Sequence, residues 1–194
     1  MNHSKEKNVS ECVIQNAMIP FYKKTGKFSK VIFDLDQTLI ESSPLEELRR
    51  QRRWAEVYAN IEKCDLYNGM TDVFSKIKES NIIISIVSSA PKSYIERMVN
   101  FFNIPCNYIV GYHDVTRQKP YPDPFFRAMQ LMKTDSSATI SFGDKTSDIT
   151  ASKSARIFSV GCLWGSKEPE KLSLSHCDFL IKQPDEILSF LDLK

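Results

Sequence analysis

The sequence predicts a three-layer α/β fold around a central parallel sheet, and three observations carry that prediction. Strand-like and helix-like segments alternate from Lys30 to the end of the chain, the pattern of βαβ units joined by right-handed crossovers. The first apolar run, Val31-Ile32-Phe33, closes on two acids, Asp34 and Asp36. Acids are costly in a core unless paired or bound to metal, so this pair belongs at the strand's C-terminal rim, where open parallel sheets bind ligands. A length of 194 residues suits one domain with a small insertion.

The elements follow in order. Residues 1–29 precede the first convincing strand. Within them Val13, Ile14, Ala17 and Met18 share one helical face, predicting a helical extension that packs on the core or, as a second reading, meets another subunit. Val31–Phe33 is the first strand, and residues 30–41 begin the core. Residues 42–68 form an insert. Ser43-Pro44-Leu45-Glu46-Glu47 is a helix start, and Leu48, Trp54, Val57, Tyr58 and Ile61 predict one broken helix or two short ones. The core resumes over 69–194, with a helix near Met70–Glu79 and a strand over Ile82–Val87.

Pro91 opens a helix whose apolar positions Tyr94, Ile95, Met98, Val99 and Phe102 follow a 3.6-residue period. Asn107–Val110 is the next strand. Asp123-Pro124 caps and starts a helix carrying Phe125, Met129 and Met132. Strands follow at Thr139–Phe142, Ile157–Val160 and Asp178–Ile181. Pro184 begins a short terminal helix expected to bury Ile187, Leu188 and Leu191.

Composition narrows the function classes. A net charge of +2 lacks the basic excess of a dedicated nucleic-acid surface. No apolar stretch approaches the ~20 residues a membrane helix needs. Met1–Asn8 is polar, with no signal-peptide core behind it. The five cysteines are scattered without a CxxC pair, which reads as reduced thiols in a cytoplasmic protein.

Four signals then fall in order at four predicted strand ends. They are Asp34-Leu35-Asp36-Gln37-Thr38; Ser88 followed by Ser89-Ala90-Pro91; Lys119-Pro120-Tyr121-Pro122-Asp123-Pro124; and Gly143-Asp144-Lys145-Thr146-Ser147-Asp148. Each has a plainer reading taken singly. Asp144 and Asp148 could serve a helix N-terminus, Ser88 could simply end a strand, and Lys119 is one of many lysines.

Together they resemble the four motifs of the haloacid dehalogenase (HAD) superfamily, in its phosphoglycolate-phosphatase-like branch. The resemblance covers roughly residues 30–190, and Ser159-Val160-Gly161 leading to Trp164-Gly165 adds to it. It implies a Rossmann-like core with a small helical cap insert after the first strand. It also implies a Mg²⁺-dependent phosphatase that hydrolyses a phosphomonoester through an aspartyl-phosphate. In that scheme Asp34 is the nucleophile and a metal ligand. Asp36 exchanges a proton with the leaving alcohol and the attacking water, while its backbone carbonyl ligates the metal. Asp144 and Asp148 complete the metal set, Lys119 offers positive charge, and Ser88 and Ser89 take phosphate oxygens. The chemistry fits these residue types: a dianionic phosphate is repelled by a carboxylate, so a cation must sit between them.

The chain also departs from the family pattern. Gln37 and Arg156 stand where glycine is common, and Ser89 where asparagine is. The insert is too short for a four-helix cap, which implies an open site. A phosphorylated small molecule is the expected substrate, and the open site admits a macromolecular phosphate. The Arg49–Arg53 run reads as a solvated helix face, with a phosphate clamp as the other reading. Trp54 and Tyr58 read as packing between insert and core, with the substrate entrance as their other use; His113 and His176 are given no catalytic role. Two further functions stay open: a phosphomutase, and a catalytically silent module that binds a phosphorylated ligand.

Overall fold

A computed structural model of the chain describes residues 28–191 and Leu193; the helical extension expected to carry Val13, Ile14, Ala17 and Met18 lies outside them. In chain order the elements are β1 (Lys30–Phe33), β2 (Ile40–Glu41), α1 (Glu46–Arg50), α2 (Trp54–Tyr58), β3 (Asp65–Leu66), α3 (Met70–Lys78), β4 (Ile83–Val87), α4 (Lys92–Phe101), β5 (Tyr108–Val110), α5 (Asp123–Met132), β6 (Thr139–Gly143), α6 (Thr146–Ser154), β7 (Phe158–Cys162), α7 (Pro169–Ser173) and β8 (Phe179–Ile181). A 3-10 segment, Pro184–Phe190, follows.

Six strands form one parallel sheet in the order β5-β4-β1-β6-β7-β8. Val31 sits between Ile84 on one side and Ile140 on the other. Side chains alternate across the pleat, so each central strand feeds both faces. Val31 and Phe33 join the larger core with Met70, Val73 and Phe74 of α3 and Tyr94, Ile95 and Met98 of α4. Ile32 turns the other way, to Phe125, Ala128 and Met129 of α5 and Ala151 of α6. That is the expected three-layer fold. After β1 the chain builds outward through β4 and β5, then returns to lay β6 on the free side of β1. The strand order therefore reverses between β1 and β6, the place where such sheets bind ligands.

The residues between β1 and α3 rise from a short antiparallel ribbon, β2 against β3, in which Ile40 pairs Leu66 and Glu41 pairs Asp65. A 3-10 turn over Ser43–Leu45 runs into α1, and α2 follows as a second short helix. Leu45, Val57 and Cys64 from this segment are fully buried in the larger core.

Three local features differ from the sequence reading. The Pro184 segment is 3-10 rather than α, because its buried residues Pro184, Ile187 and Phe190 recur every third position, the spacing that eclipses on a 3-10 helix. Helix α7, opened by Pro169, is unanticipated. Arg156 itself takes the left-handed conformation (φ 59) just past α6, and the Ile157 N–H bonds back to the Ser152 carbonyl at 3.0 Å. The helix thus ends in the usual way without its usual glycine.

Candidate active site

The reversal point puts the C-terminal ends of β1 and β6 side by side, and with them Asp34 and Asp144. The backbone N–H of Asp34 still bonds to the Phe142 carbonyl at 3.0 Å, so the nucleophile candidate is the last residue held by the sheet. Asp148 comes from the first turn of α6, where its Oδ2 accepts from the Lys145 backbone N–H at 3.0 Å. It therefore caps the helix and faces the site at once. Gly143 makes room for this: a Cβ there would lie 2.4 Å from the Cβ of Asp148.

Asp34, Asp144 and Asp148 are all buried, and each offers a carboxylate oxygen within 4.8 Å of the others. Three such acids repel one another and lose their hydration. Burial, then Asp34 and Asp148, pushes Asp144 up to about 8. Burial also raises Asp34, against the pull of Lys119. The Lys119 ammonium lies 2.6 Å from Asp34 Oδ1 and 2.6 Å from Asp148 Oδ1. It also donates to the Val87 carbonyl at 3.1 Å. Burial works against its charge, yet Asp148 and Asp34 outweigh burial and hold its pKa above the ordinary lysine value.

Asp144 Oδ1 accepts from the Thr38 hydroxyl at 2.9 Å. Its Oδ2 is buried with no hydrogen-bond partner. A buried carboxylate oxygen without a donor is one that a bound cation would satisfy. Three carboxylates and no soft ligand suit a hard divalent ion such as Mg²⁺, so the residues present fit the expected metal.

Asp36 points elsewhere. Its side chain is absent from the carboxylate cluster, and its Oδ1 instead accepts from the Ser42 hydroxyl at 2.6 Å and the Tyr94 phenol at 2.7 Å. The Arg49 guanidinium pairs with the same oxygen. The turn between Asp34 and Thr38 is propped from a distance. Gln37 is left-handed (φ 68), and its amide bonds Ser43 Oγ and Tyr67 OH at 3.1 and 2.7 Å. The Trp164 indole donates to the Thr38 carbonyl at 2.9 Å.

Above the carboxylates opens a cleft of about 500 Å³. Ser88, Ser89, Lys119 and Lys145 line it from the strand ends, and Arg49, Arg50, Arg52 and Trp54 line it from the insert. Ser88 is buried and Ser89 exposed, with Ser88 Oγ accepting from the Ala90 N–H at 3.2 Å.

Asp34, Asp36, Ser88, Ser89, Lys119 and Asp148 thus line one cleft, with Asp144 clustered against Asp34 and Asp148 and the Asp36 carboxylate turned to its own side. The arginine run divides. Arg50 pairs with Glu47 and Arg53 with Glu56 on the exposed face, while Arg49 is drawn inward to Asp36. Trp54 lines the cleft and packs its ring 5.9 Å from that of Tyr94. His113 also lines the cleft. Sequence reasoning passed over Tyr94, Ser42 and Lys145. Tyr94 sits at a core-spaced helical position, and nothing in its spacing tells a phenol used for its hydroxyl from one used for its ring.

Comparison with known proteins agrees with this geometry. The family model described as haloacid dehalogenase-like hydrolase matches residues 45–162. Pyrophosphatase PpaX of Oceanobacillus iheyensis is 24% identical over 83% of this chain and 95% of its own length. Phosphoglycolate phosphatase of Escherichia coli K12 is 25% identical over 66% of this chain, which spans 52% of that protein. Against two other PpaX proteins the chain spans only 56% and 58% of the relative's length. A crystal structure of a putative phosphoglycolate phosphatase from Lactobacillus plantarum has the same fold, with a TM-score of 0.74 at 18% identity, covering 85% of this chain and 100% of that one. With a family match across more than half its length, and with the acids of the first and fourth motifs clustered beside the Lys119 of the third at the C-terminal ends of the central strands, the chain belongs to the haloacid dehalogenase-like hydrolases.

Proposed function

We propose that this protein is a Mg²⁺-dependent phosphatase that hydrolyses a phosphomonoester through an aspartyl-phosphate at Asp34. The observation that carries this reading is the placement of the Asp34 carboxylate at the floor of an open cleft, 2.6 Å from Lys119 and within one ion's reach of Asp144 and Asp148. Asp34, Asp144 and Asp148 would hold the cation together with the Asp36 backbone carbonyl. When bound, the ion neutralises the charge between carboxylate and phosphate. Lys119 holds Asp34 in place and offers its charge to the incoming phosphate, while Ser88 and Ser89 lie on the cleft wall where phosphate oxygens need donors. Asp34 attacks phosphorus and the leaving oxygen departs. Asp36 gives that oxygen a proton, then takes one from the water that hydrolyses the acyl phosphate.

The relatives' names support a small phosphorylated substrate, since one is called a pyrophosphatase and another a phosphoglycolate phosphatase. Glu46, Arg49, Arg50, Arg52 and Trp54 of the short insert form one side of the cleft, so the insert helps decide which phosphate ester enters. We place the protein in the cytoplasm. In line with that, no helix among the described residues is long and apolar enough to cross a membrane.

Turnover of 4-nitrophenyl phosphate with Mg²⁺, and then with excess chelator, tests the reading. Activity should vanish with the chelator and fall on the order of a thousandfold or more in Asp34→Asn, as when a nucleophile is removed. Full activity in either case would reject it.

A further inference from the structure

The carboxylate of Asp36 is held unlike any other acid in the site. Three donors converge on its Oδ1: the Ser42 hydroxyl at 2.6 Å, the Tyr94 phenol at 2.7 Å, and the Arg49 guanidinium. These come from three places in the chain, namely the start of the insert, α4 and α1. They also brace one another. Arg49 donates to Tyr94 OH at 3.2 Å and to the Ser42 carbonyl at 3.3 Å. Tyr94 is among the largest fully buried side chains of the described residues, with the Arg49 guanidinium 5.6 Å from the centre of its ring and Trp54 at 5.9 Å. The phenol O–H donates to Asp36 Oδ1 from this enclosed position.

The geometry points to Tyr94 as a positioning residue for Asp36. With all three donors on Oδ1, Oδ2 is the oxygen left to meet a leaving group or a water. The phenol is the rigid member of the clamp, because its ring is packed on all sides and its hydroxyl has one place to sit. This inference rests on the reading of Asp36 as the group that exchanges the proton. It goes beyond that reading by naming what aims the group.

A residue that only filled space would affect all substrates alike, whereas a residue that aims a proton donor matters in proportion to the leaving group's need for a proton. The test therefore compares kcat/KM, which reports the steps through formation of the phosphoenzyme, on two substrates with Mg²⁺. One is glycerol phosphate, whose alkoxide must be protonated; the other is 4-nitrophenyl phosphate, whose phenolate leaves unaided. Tyr94→Phe keeps the ring and removes one oxygen. It should lose about tenfold on glycerol phosphate, the scale of one hydrogen bond to a charged group, and less than twofold on the nitrophenyl ester. Ser42→Ala, which removes a second donor from the same oxygen, should show a split in the same direction.

Asp36→Asn is run alongside and should show the widest split. A split in Asp36→Asn with an equal loss, or no loss, in Tyr94→Phe on both substrates overturns the positioning role and leaves Asp36 standing. No split in Asp36→Asn overturns the reading of Asp36 and the positioning role with it.

Discussion

At the scale of single residues, the site depends on close approaches that a sequence records only as a glycine or an indole. Gly165 lies so near the turn behind Asp34 that a Cβ on it would come within 1.8 Å of the Gln37 carbonyl oxygen. No side chain can share that space, so the backbone must move. Gly165→Ala should therefore destabilise the protein by about 3 kcal/mol, the upper end of ordinary overpacking, read as a lower urea midpoint. Phosphatase activity should fall further than stability does, because the displaced turn carries Asp34 and Asp36. The acids and Lys119 were legible from sequence because their identity is their chemistry. Gly165 was legible as part of a motif but not as a wedge. Tyr94 and Ser42 were not legible at all, since a tyrosine at core spacing and a serine before a helix have ordinary uses.

At the scale of elements, the six strands of the main sheet were readable to within two residues of their ends, while the small β2–β3 ribbon was not anticipated. Strand β4 starts at Ile83 rather than Ile82, and β7 at Phe158 rather than Ile157. Apolar runs this short between turn signals have few other uses. What patterning could not show is how the insert attaches. Leu45 and Val57 look like the hydrophobic stripe of a free-standing cap, yet they are buried in the same core as α3 and α4. Truncating Leu45 should thus cost about 2–5 kcal/mol, the usual range for a buried leucine that leaves a cavity, and the loss should be global. Trp54 lies in the insert and Trp164 beyond β7, so variants retaining one tryptophan each report the two regions separately. Both should unfold at one midpoint, and Leu45→Ala should lower both together. A Trp54 transition that moved alone would show an insert that folds by itself.

At the scale of the whole molecule, the three buried carboxylates tie folding to pH and, on the proposed reading, to a divalent ion. Asp144 titrates near 8 in the folded protein against an ordinary 3.8. Its folded pKa is raised, so without metal its contribution to stability is fully present below about pH 4 and is lost as pH rises through about 8. A divalent ion displaces the proton it holds. Mg²⁺ should therefore raise the thermal midpoint more at pH 8.5 than at pH 5.5. Its apparent affinity should climb by up to about tenfold per pH unit in between, one proton being released for each ion bound. Calorimetric titration at several pH values measures both, and an affinity flat across that range would show that the site takes up the ion without yielding a proton. The fold class was legible at this scale because alternation of elements dictates a parallel sheet. The reversal between β1 and β6 was not, since strand order depends on contacts among segments far apart in the chain.

The tie between the Trp164 indole and the Thr38 carbonyl spans most of the molecule's length in sequence. A fragment ending at Cys162 would retain every acid, both serines and the lysine, and to a motif search it would look whole. It would nonetheless have lost the beam that bears on the loop behind Asp34, and with it β8, which pairs with β7 at the edge of the sheet. The smallest competent unit of this chain is therefore drawn by its scaffolding, which reaches well past Asp148, the last of the clustered acids.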